Sequence, residues 1–505
     1  MTSTPDTYER LCEFVRETAL LESIEALLGW DERTYLPPAG GEYRAEQITY
    51  LSGRIHKRRT DPRLKDWLDE LAASDLMADP HSDPATTVRQ LRRDFDKRSK
   101  LPQRLVEELA RASVLGQQVW VEARAADNYR MFEPLLKQMF ALKREQAEAY
   151  GYAEHCYDAL LDDYEPDATT AEVKAALAGV REELVPLVQA IGESHKQAPV
   201  ELLKRKFPVA AQEAFGKEAA AKIGFNFKRG RLDVTHHPFC SGMGPHDCRL
   251  TTRYDETFFP SGFFSILHEA GHGMYDQGQR PDQFGLPPGS YVSLGIHESQ
   301  SRMWENLVGR SRAFWDYFYS RAQIAFPQAL GDVPAAQFLF AINDVRPSLI
   351  RVEADEATYN LHIIVRFELE QALLCGDLST ADLPGAWKDK YDEYLGIRPP
   401  SDADGCLQDV HWSAGLIGYF PTYTLGNIYA SQFFAAAEKE LGGLHEPFAQ
   451  GDFAGLLAWL RRQIHQRGQC YTAGELCEKV TGKPLAHTEL IAHLRGKFGE
   501  LYALK

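Results

Sequence analysis

Along most of the chain, apolar and charged residues recur at three- and four-residue spacing. Tyr8-Glu9-Arg10-Leu11-Cys12-Glu13-Phe14-Val15-Arg16 and Thr170-Ala171-Glu172-Val173-Lys174-Ala175-Ala176-Leu177 each gather their apolar positions on one helical face. The pattern predicts helices from residue 4 to about 230, with loops at Pro37-Pro38-Ala39-Gly40-Gly41, Pro80-His81-Ser82-Asp83-Pro84 and Pro166. Between about 229 and 256 the period falls to two. Arg231-Leu232-Asp233-Val234-Thr235-His236 and Cys248-Arg249-Leu250-Thr251-Thr252-Arg253-Tyr254 read as strands, and Ser241-Gly242-Met243-Gly244-Pro245 reads as the turn of a β-hairpin between them. Helical periodicity returns near 293 and runs to Lys505. The expectation is an all-α body with a small β-hairpin or sheet beside a groove, where an edge strand suits an extended chain. No linker or internal repeat divides it. Residues 1–505 therefore read as one domain, with a helical part at 1–228, a hairpin and central core at 229–430 and C-terminal helices at 431–505.

Composition narrows the partners. The 505 residues are 44% hydrophobic and 25% charged, enough for a sizeable core, and the formal net charge of −16 disfavours nucleic acid and anionic membrane surfaces. Short basic runs such as Arg54-Ile55-His56-Lys57-Arg58-Arg59 read as solvated helix faces. The start, Met1-Thr2-Ser3-Thr4-Pro5-Asp6, lacks the basic and apolar regions of a secretory signal, and no apolar run is long enough to span a bilayer. On those grounds the chain reads as cytoplasmic, and eight cysteines without a CxxC pair read as free thiols in a reducing compartment.

The chemistry concentrates in His268-Glu269-Ala270-Gly271-His272. On a helix, residues four apart share a face, so both imidazoles can reach one metal ion while Glu269 stands beside the water it would activate. Phe264, Leu267, Gly271 and Met274 carry the spacing of a buried helix, which Ser261 is placed to cap and Gly278 to end. An open tetrahedral zinc site needs a third protein ligand. Glu298, on a following amphipathic helix with Met303, Trp304, Leu307 and Val308, supplies it. His297 is the rival, and Glu298 is preferred because His2Glu is an established peptidase set. Such a set also accepts cobalt or manganese. Cys240 and Cys248 flank the motif, but a cysteine-rich closed tetrahedron is structural, so they are not read as ligands. Asp276, one turn after His272, is placed to accept that ligand's free ring N–H.

Two further stretches carry chemistry. Arg351 lies in an apolar, helix-like context at Ile350-Arg351-Val352-Glu353-Ala354-Asp355, as does Arg346 before it. A groove-facing arginine suits a carboxylate, although spacing alone favours pairing of Arg351 with Glu353 or Asp355. His411, Tyr419 and Tyr423 have the donors to stabilise an oxyanion beside a metal, although taken alone they read as an aromatic core patch.

Taken in order, His237-Pro238-Phe239, Asp247-Cys248-Arg249-Leu250-Thr251, the His268–His272 motif, His297-Glu298-Ser299-Gln300, Ile350–Asp355 and Gly405-Cys406-Leu407-Gln408-Asp409-Val410-His411-Trp412 resemble the carboxypeptidase Taq family of zinc metallocarboxypeptidases. Leu28-Gly29-Trp30-Asp31 with Pro37-Pro38 is similar too, and the resemblance covers essentially the whole length. It implies an oligopeptidase-like, neurolysin-like helical body with a deep groove, a homodimer, and release of single C-terminal residues from peptides with broad specificity. It implies His268, His272 and Glu298 as ligands of one Zn2+ per chain and Glu269 as general base. His237, Arg249 and Arg351 become candidates for holding the substrate terminus, and His411, Tyr419 and Tyr423 for stabilising the transition state. An oligoendopeptidase or dipeptidyl carboxypeptidase on the same scaffold, or a non-catalytic peptide-binding protein stabilised by zinc, are the competing readings.

Overall fold

The computed structural model describes residues 4–504. Met1, Thr2, Ser3 and Lys505, which the readings of the two chain ends include, lie outside the described residues. The body is mainly helical, with one small three-stranded sheet. Helix starts follow local chemistry. Thr169 opens Thr170–Gly192 and Thr472 opens Ala473–Thr481 through capping boxes, in which hydroxyl and glutamate exchange hydrogen bonds with each other's backbone N–H. The apolar faces merge into one core reaching from Leu105 to Tyr502. A smaller core of Leu11, Phe14, Leu64, Leu68, Leu71 and Val88 joins the helices Thr4–Thr34, Pro62–Ala72 and Asp83–Ser99. Among the described residues no helix is long and apolar enough to cross a membrane.

The sheet differs from the predicted hairpin. Gly230–Val234 (β1), Cys240–Gly244 (β2) and Asp247–Thr252 (β3) form the order β1-β3-β2. β1 pairs parallel to β3, and β2 pairs antiparallel to β3 with an irregularity between Gly242 and Gly244. The segment read as a turn is thus itself an edge strand. Its glycines serve the bulge, and the reversal falls just beyond it, where His246 adopts a left-handed φ of 71°. Trp30 docks the first helix on this sheet, with the guanidinium carbons of Arg249 and Arg231 4.3 and 5.2 Å from its ring.

The helix that carries both histidines spans Phe259–Gly278 and is buried on most of its faces. Its far end falls at Gly278, as the spacing predicts. Its start does not depend on Ser261, which lies inside the helix; Phe258 holds the cap position without a side-chain bond, and a proline in the first turn fixes the entry. The next helix, Leu294–Arg302, is capped by Ser293, whose hydroxyl accepts from the Ile296 N–H at 3.1 Å. Glu298 is its fifth residue, just past the first turn, and the helix runs on into a π-helical turn, Met303–Val308. These two helices touch backbone to backbone. A Cβ at Gly271 would lie 2.6 Å from the Gln300 carbonyl oxygen and equally close to Ser301 Cα. On the other side, a Cβ at Gly426 of helix Pro421–Leu441 would lie 2.6 Å from Glu298 Cβ. Helix Leu294–Arg302 is clamped between two close approaches, and Glu298 with it.

Candidate active site

Backbone packing brings three donors to one point. His268 and His272 stand one turn apart with ring centroids at 4.8 Å. Their Nε2 atoms lie 3.9 and 3.5 Å from Glu298 Oε2. A donor atom from each of the three residues falls within 4.8 Å of the other two, so one ion can meet all of them. The surroundings complete the fit. His268 Nδ1 lies 2.8 Å from Glu305 Oε2, a bond in which the carboxylate accepts and the Nε2 lone pair is left facing Glu298. Arg302 donates through Nε to Glu298 Oε1 at 2.7 Å and through Nη1 to Glu305 Oε2 at 3.2 Å, with its guanidinium carbon 4.3 Å from the Tyr359 ring centroid. Burial opposes the charge on Glu305, but Arg302 and His268 overcome it and hold its carboxyl down at about 2. Burial opposes the charged form of His268 as well, yet Glu298 and Glu305 pull its imidazole upward, so the local field favours a positive charge. Burial, assisted by His297 and His268, keeps His272 neutral.

His297 takes a different place from a ligand. Its Nδ1 lies 2.6 Å from His272 Nδ1, and its Nε2 lies 3.2 Å from Asp276 Oδ1. The consistent proton order has His272 donating to His297 and His297 donating to Asp276. Asp276 therefore acts on His272 through an intervening imidazole, where the sequence spacing predicted a direct bond. Glu269 is buried beside this cluster. Burial first, then the charges of Glu298 and Glu305, push its carboxyl up to about 7.

A second polar group adjoins the first. Arg351 is buried in a short 3₁₀ turn, Arg351–Glu353, rather than the helical context its neighbours suggest. Its partner is neither Glu353 nor Asp355. It donates through Nε and Nη2 to Asp409 Oδ1 at 3.0 and 2.8 Å and through Nη1 to Tyr359 Oη at 2.9 Å. Arg366 donates to the other oxygen, Asp409 Oδ2, at 2.6 Å. Two guanidinium groups share one carboxylate, which leaves a net positive charge among aromatic rings. The Arg351 guanidinium carbon lies 5.3 Å from the Tyr423 ring centroid, and Tyr423 packs edge-on to Tyr359 and Tyr419. His411 Nε2 is 3.4 Å from Tyr423 Oη, and burial lowers its imidazole to about 4, so it is neutral near pH 7. Glu298 contributes to raising both tyrosines, after burial, which ties this group electrostatically to the metal cluster.

His237 and Arg249 stand apart from both groups. His237 is exposed in the loop between β1 and β2. Arg249 pairs with Asp247 at 2.9 and 2.8 Å and stacks on Trp30. Among the described residues no hydrogen bond or ion pair joins either to His268, His272 or Glu298. Sequence reasoning passed over Glu305, Arg302, Asp409, Arg366 and Tyr359. The first two had a signal: Glu298, Arg302 and Glu305 follow a four-then-three spacing on one helical face.

A helical body that brings two half-buried histidines and a buried glutamate to one point, with a second carboxylate beside the first histidine, defines a metallopeptidase. The chain belongs to the carboxypeptidase Taq (M32) metallopeptidase family, whose model matches residues 10–498, and it is a metal-dependent carboxypeptidase of that family. It is 48% identical to thermostable carboxypeptidase 1 of Thermus thermophilus over 99% of this chain and 100% of that protein. Carboxypeptidase 1 of Bacillus subtilis is 36% identical over 99% of both chains. Among solved structures, the M32 carboxypeptidase of Deinococcus radiodurans superposes with a TM-score of 0.95 at 42% identity, covering 99% of this chain and 100% of that one.

Proposed function

We propose that the protein is a zinc-dependent carboxypeptidase that removes single residues from the free C-terminus of peptides with broad side-chain specificity. The observation that carries the reading is the convergence of His268 Nε2, His272 Nε2 and a Glu298 oxygen beside a buried Glu269. Those three residues hold one Zn2+ per chain, with Co2+ or Mn2+ as possible substitutes, and the bound ion supplies Lewis acidity and a water of lowered pKa. Glu269 is the general base. Its carboxyl, held near neutrality by burial, takes the proton of the attacking water and delivers it to the leaving nitrogen. Tyr423 or Tyr419, with neutral His411 behind Tyr423, donates to the carbonyl oxygen as it gains charge. Arg351 is the foremost candidate for the substrate carboxylate, because Asp409 cannot neutralise both Arg351 and Arg366. Arg249 and His237 are the other candidates. The β2 edge lines a cavity of about 680 Å³ that also contains His297 and Asp276, which suits pairing with an extended peptide. The working protein is a cytoplasmic homodimer.

A timed digest of a defined peptide, with and without chelator and zinc restoration, tests this reading. A ladder of single-residue losses from the carboxyl end, abolished by chelator and restored by zinc, is the expected result. Internal cuts or two-residue losses overturn it, as does capture of peptide without cleavage.

A further inference from the structure

One wall of the same cavity carries soft donors that the peptidase chemistry does not use. Cys240 of β2 and Cys248 of β3 place their Sγ atoms 3.6 Å apart, and a donor atom from each lies within 4.8 Å of a carboxylate oxygen of Asp276. Asp276 Oδ1 faces His297, while Oδ2 lies against Gly242 of β2, on the side of the sulfurs. Cys240 and Asp276 both line the cavity, so the group is open to solutes. Among the described residues no lysine or arginine forms an ion pair with Asp276. Hydrogen bonding to Cys248 comes first, then burial, then the charges of Cys248, Asp276 and Glu269, in raising the Cys240 thiol well above its ordinary range. Arg58, Arg59, Arg229 and Arg280 also line the cavity.

Two chemistries suit a close sulfur pair, and the strand register separates them. Cys240 sits opposite Leu250, and Cys248 sits opposite Gly242, so the two cysteines are diagonal neighbours. Diagonal Cα atoms in an antiparallel pair lie roughly 7–8 Å apart, beyond the span a disulfide bridges without backbone movement. Two thiolates about 2.3 Å from a tetrahedral ion, by contrast, stand about 3.8 Å apart, close to the spacing found.

We propose that Cys240, Cys248 and Asp276 form a second cation site, distinct from the His268–His272–Glu298 cluster, selective for thiophilic divalent ions such as Cd2+ or Zn2+. Binding releases both thiol protons to solvent and leaves a position for water. Because Asp276 also accepts from His297, and His297 from His272, filling the site draws negative charge from the carboxylate that anchors that relay and loosens the hold on the first ion. This coupling, though not the binding itself, rests on the ligand set proposed above.

The test titrates Cd2+ into enzyme loaded with a single equivalent of zinc and carrying Cys375→Ser, which removes the other close sulfur pair, Cys156 and Cys375. The expected result is one equivalent of Cd2+ bound with a sulfur-to-cadmium charge-transfer band in the ultraviolet, and with the zinc retained. Cys240→Ser and Cys248→Ala each abolish the band, and Asp276→Asn keeps it while weakening binding roughly tenfold. No band, or a band that survives both cysteine substitutions, overturns the site. Chelator then strips the retained zinc several-fold faster from the Cd2+-filled protein than from the Cys240→Ser variant. Equal stripping rates overturn the coupling even where the band confirms binding.

Discussion

His268 donates its Nδ1 proton to Glu305 across 2.8 Å, and that single bond decides which nitrogen of the ring faces Glu298. Removing the acceptor frees the ring to rotate and to change tautomer. Glu305→Ala is therefore expected to lower metal affinity by roughly 10- to 100-fold while leaving the helical content unchanged. Chelator competition at equilibrium measures it, and an affinity equal to the parent's would remove Glu305 from the site.

Glu269→Gln separates binding from chemistry. The amide keeps the shape of the carboxyl but cannot take a proton, so turnover falls roughly 10²- to 10⁴-fold with metal content intact. Metal analysis and steady-state kinetics on one preparation check both halves, and near-normal turnover would sink the general-base role.

Asp409 balances two buried arginines, and its carboxyl is held well below the usual range by Arg351 and Arg366 against the cost of burial. Asp409→Asn leaves both guanidinium groups short of an anion. Destabilisation of about 3–5 kcal/mol is expected in denaturant unfolding, in line with the breaking of other buried ion pairs. A change below about 1 kcal/mol, the size of a surface pair, would show that solvent reaches the cluster.

Acid sensitivity has a named contributor outside the metal cluster. Glu356 is buried and accepts from His493 at 2.8 Å and from Lys497 at 2.6 Å. Burial opposes its charge, but Lys497 and His493 win and hold it at about 2, below its ordinary 4.5. A lowered carboxyl pKa stabilises the fold fully above the unfolded value and loses that contribution as pH falls from 4.5 towards 2. Glu356→Gln should cost roughly 3 kcal/mol near neutrality and almost nothing near pH ~2. Unfolding curves across that range measure the gap, and a pH-independent difference would contradict the assignment.

The legible parts of this protein were those governed by short-range rules. Four-residue spacing placed His268 and His272 on one face, and the need of an open tetrahedral site for a third donor singled out Glu298. The amphipathic period found the helices. What escaped depends on chain segments far apart in sequence. Asp409 reaches Arg351 and Arg366 only through the fold, so local spacing pointed to Glu353 and Asp355 instead. The parallel pairing of β1 with β3 left no local mark either, because alternation reports that a strand exists and not which neighbour it takes. His297 stood next to Glu298 in sequence, yet its ring turns towards His272 on the preceding helix.

The contact at Gly271 makes the spacing of the candidate metal ligands a property of the main chain. With the backbone of Gln300 and Ser301 pressed against it, the separation between the histidine pair and Glu298 cannot relax through side-chain rotation alone. The aperture offered to an ion is thus set by a residue that never touches one. Gly271→Ala would act as a shim between two plates, widening the gap on the Glu298 side. Ions that tolerate longer bonds to oxygen would then be favoured over smaller ones, a shift in metal preference that originates at the helix seam and leaves all three candidate ligands unchanged.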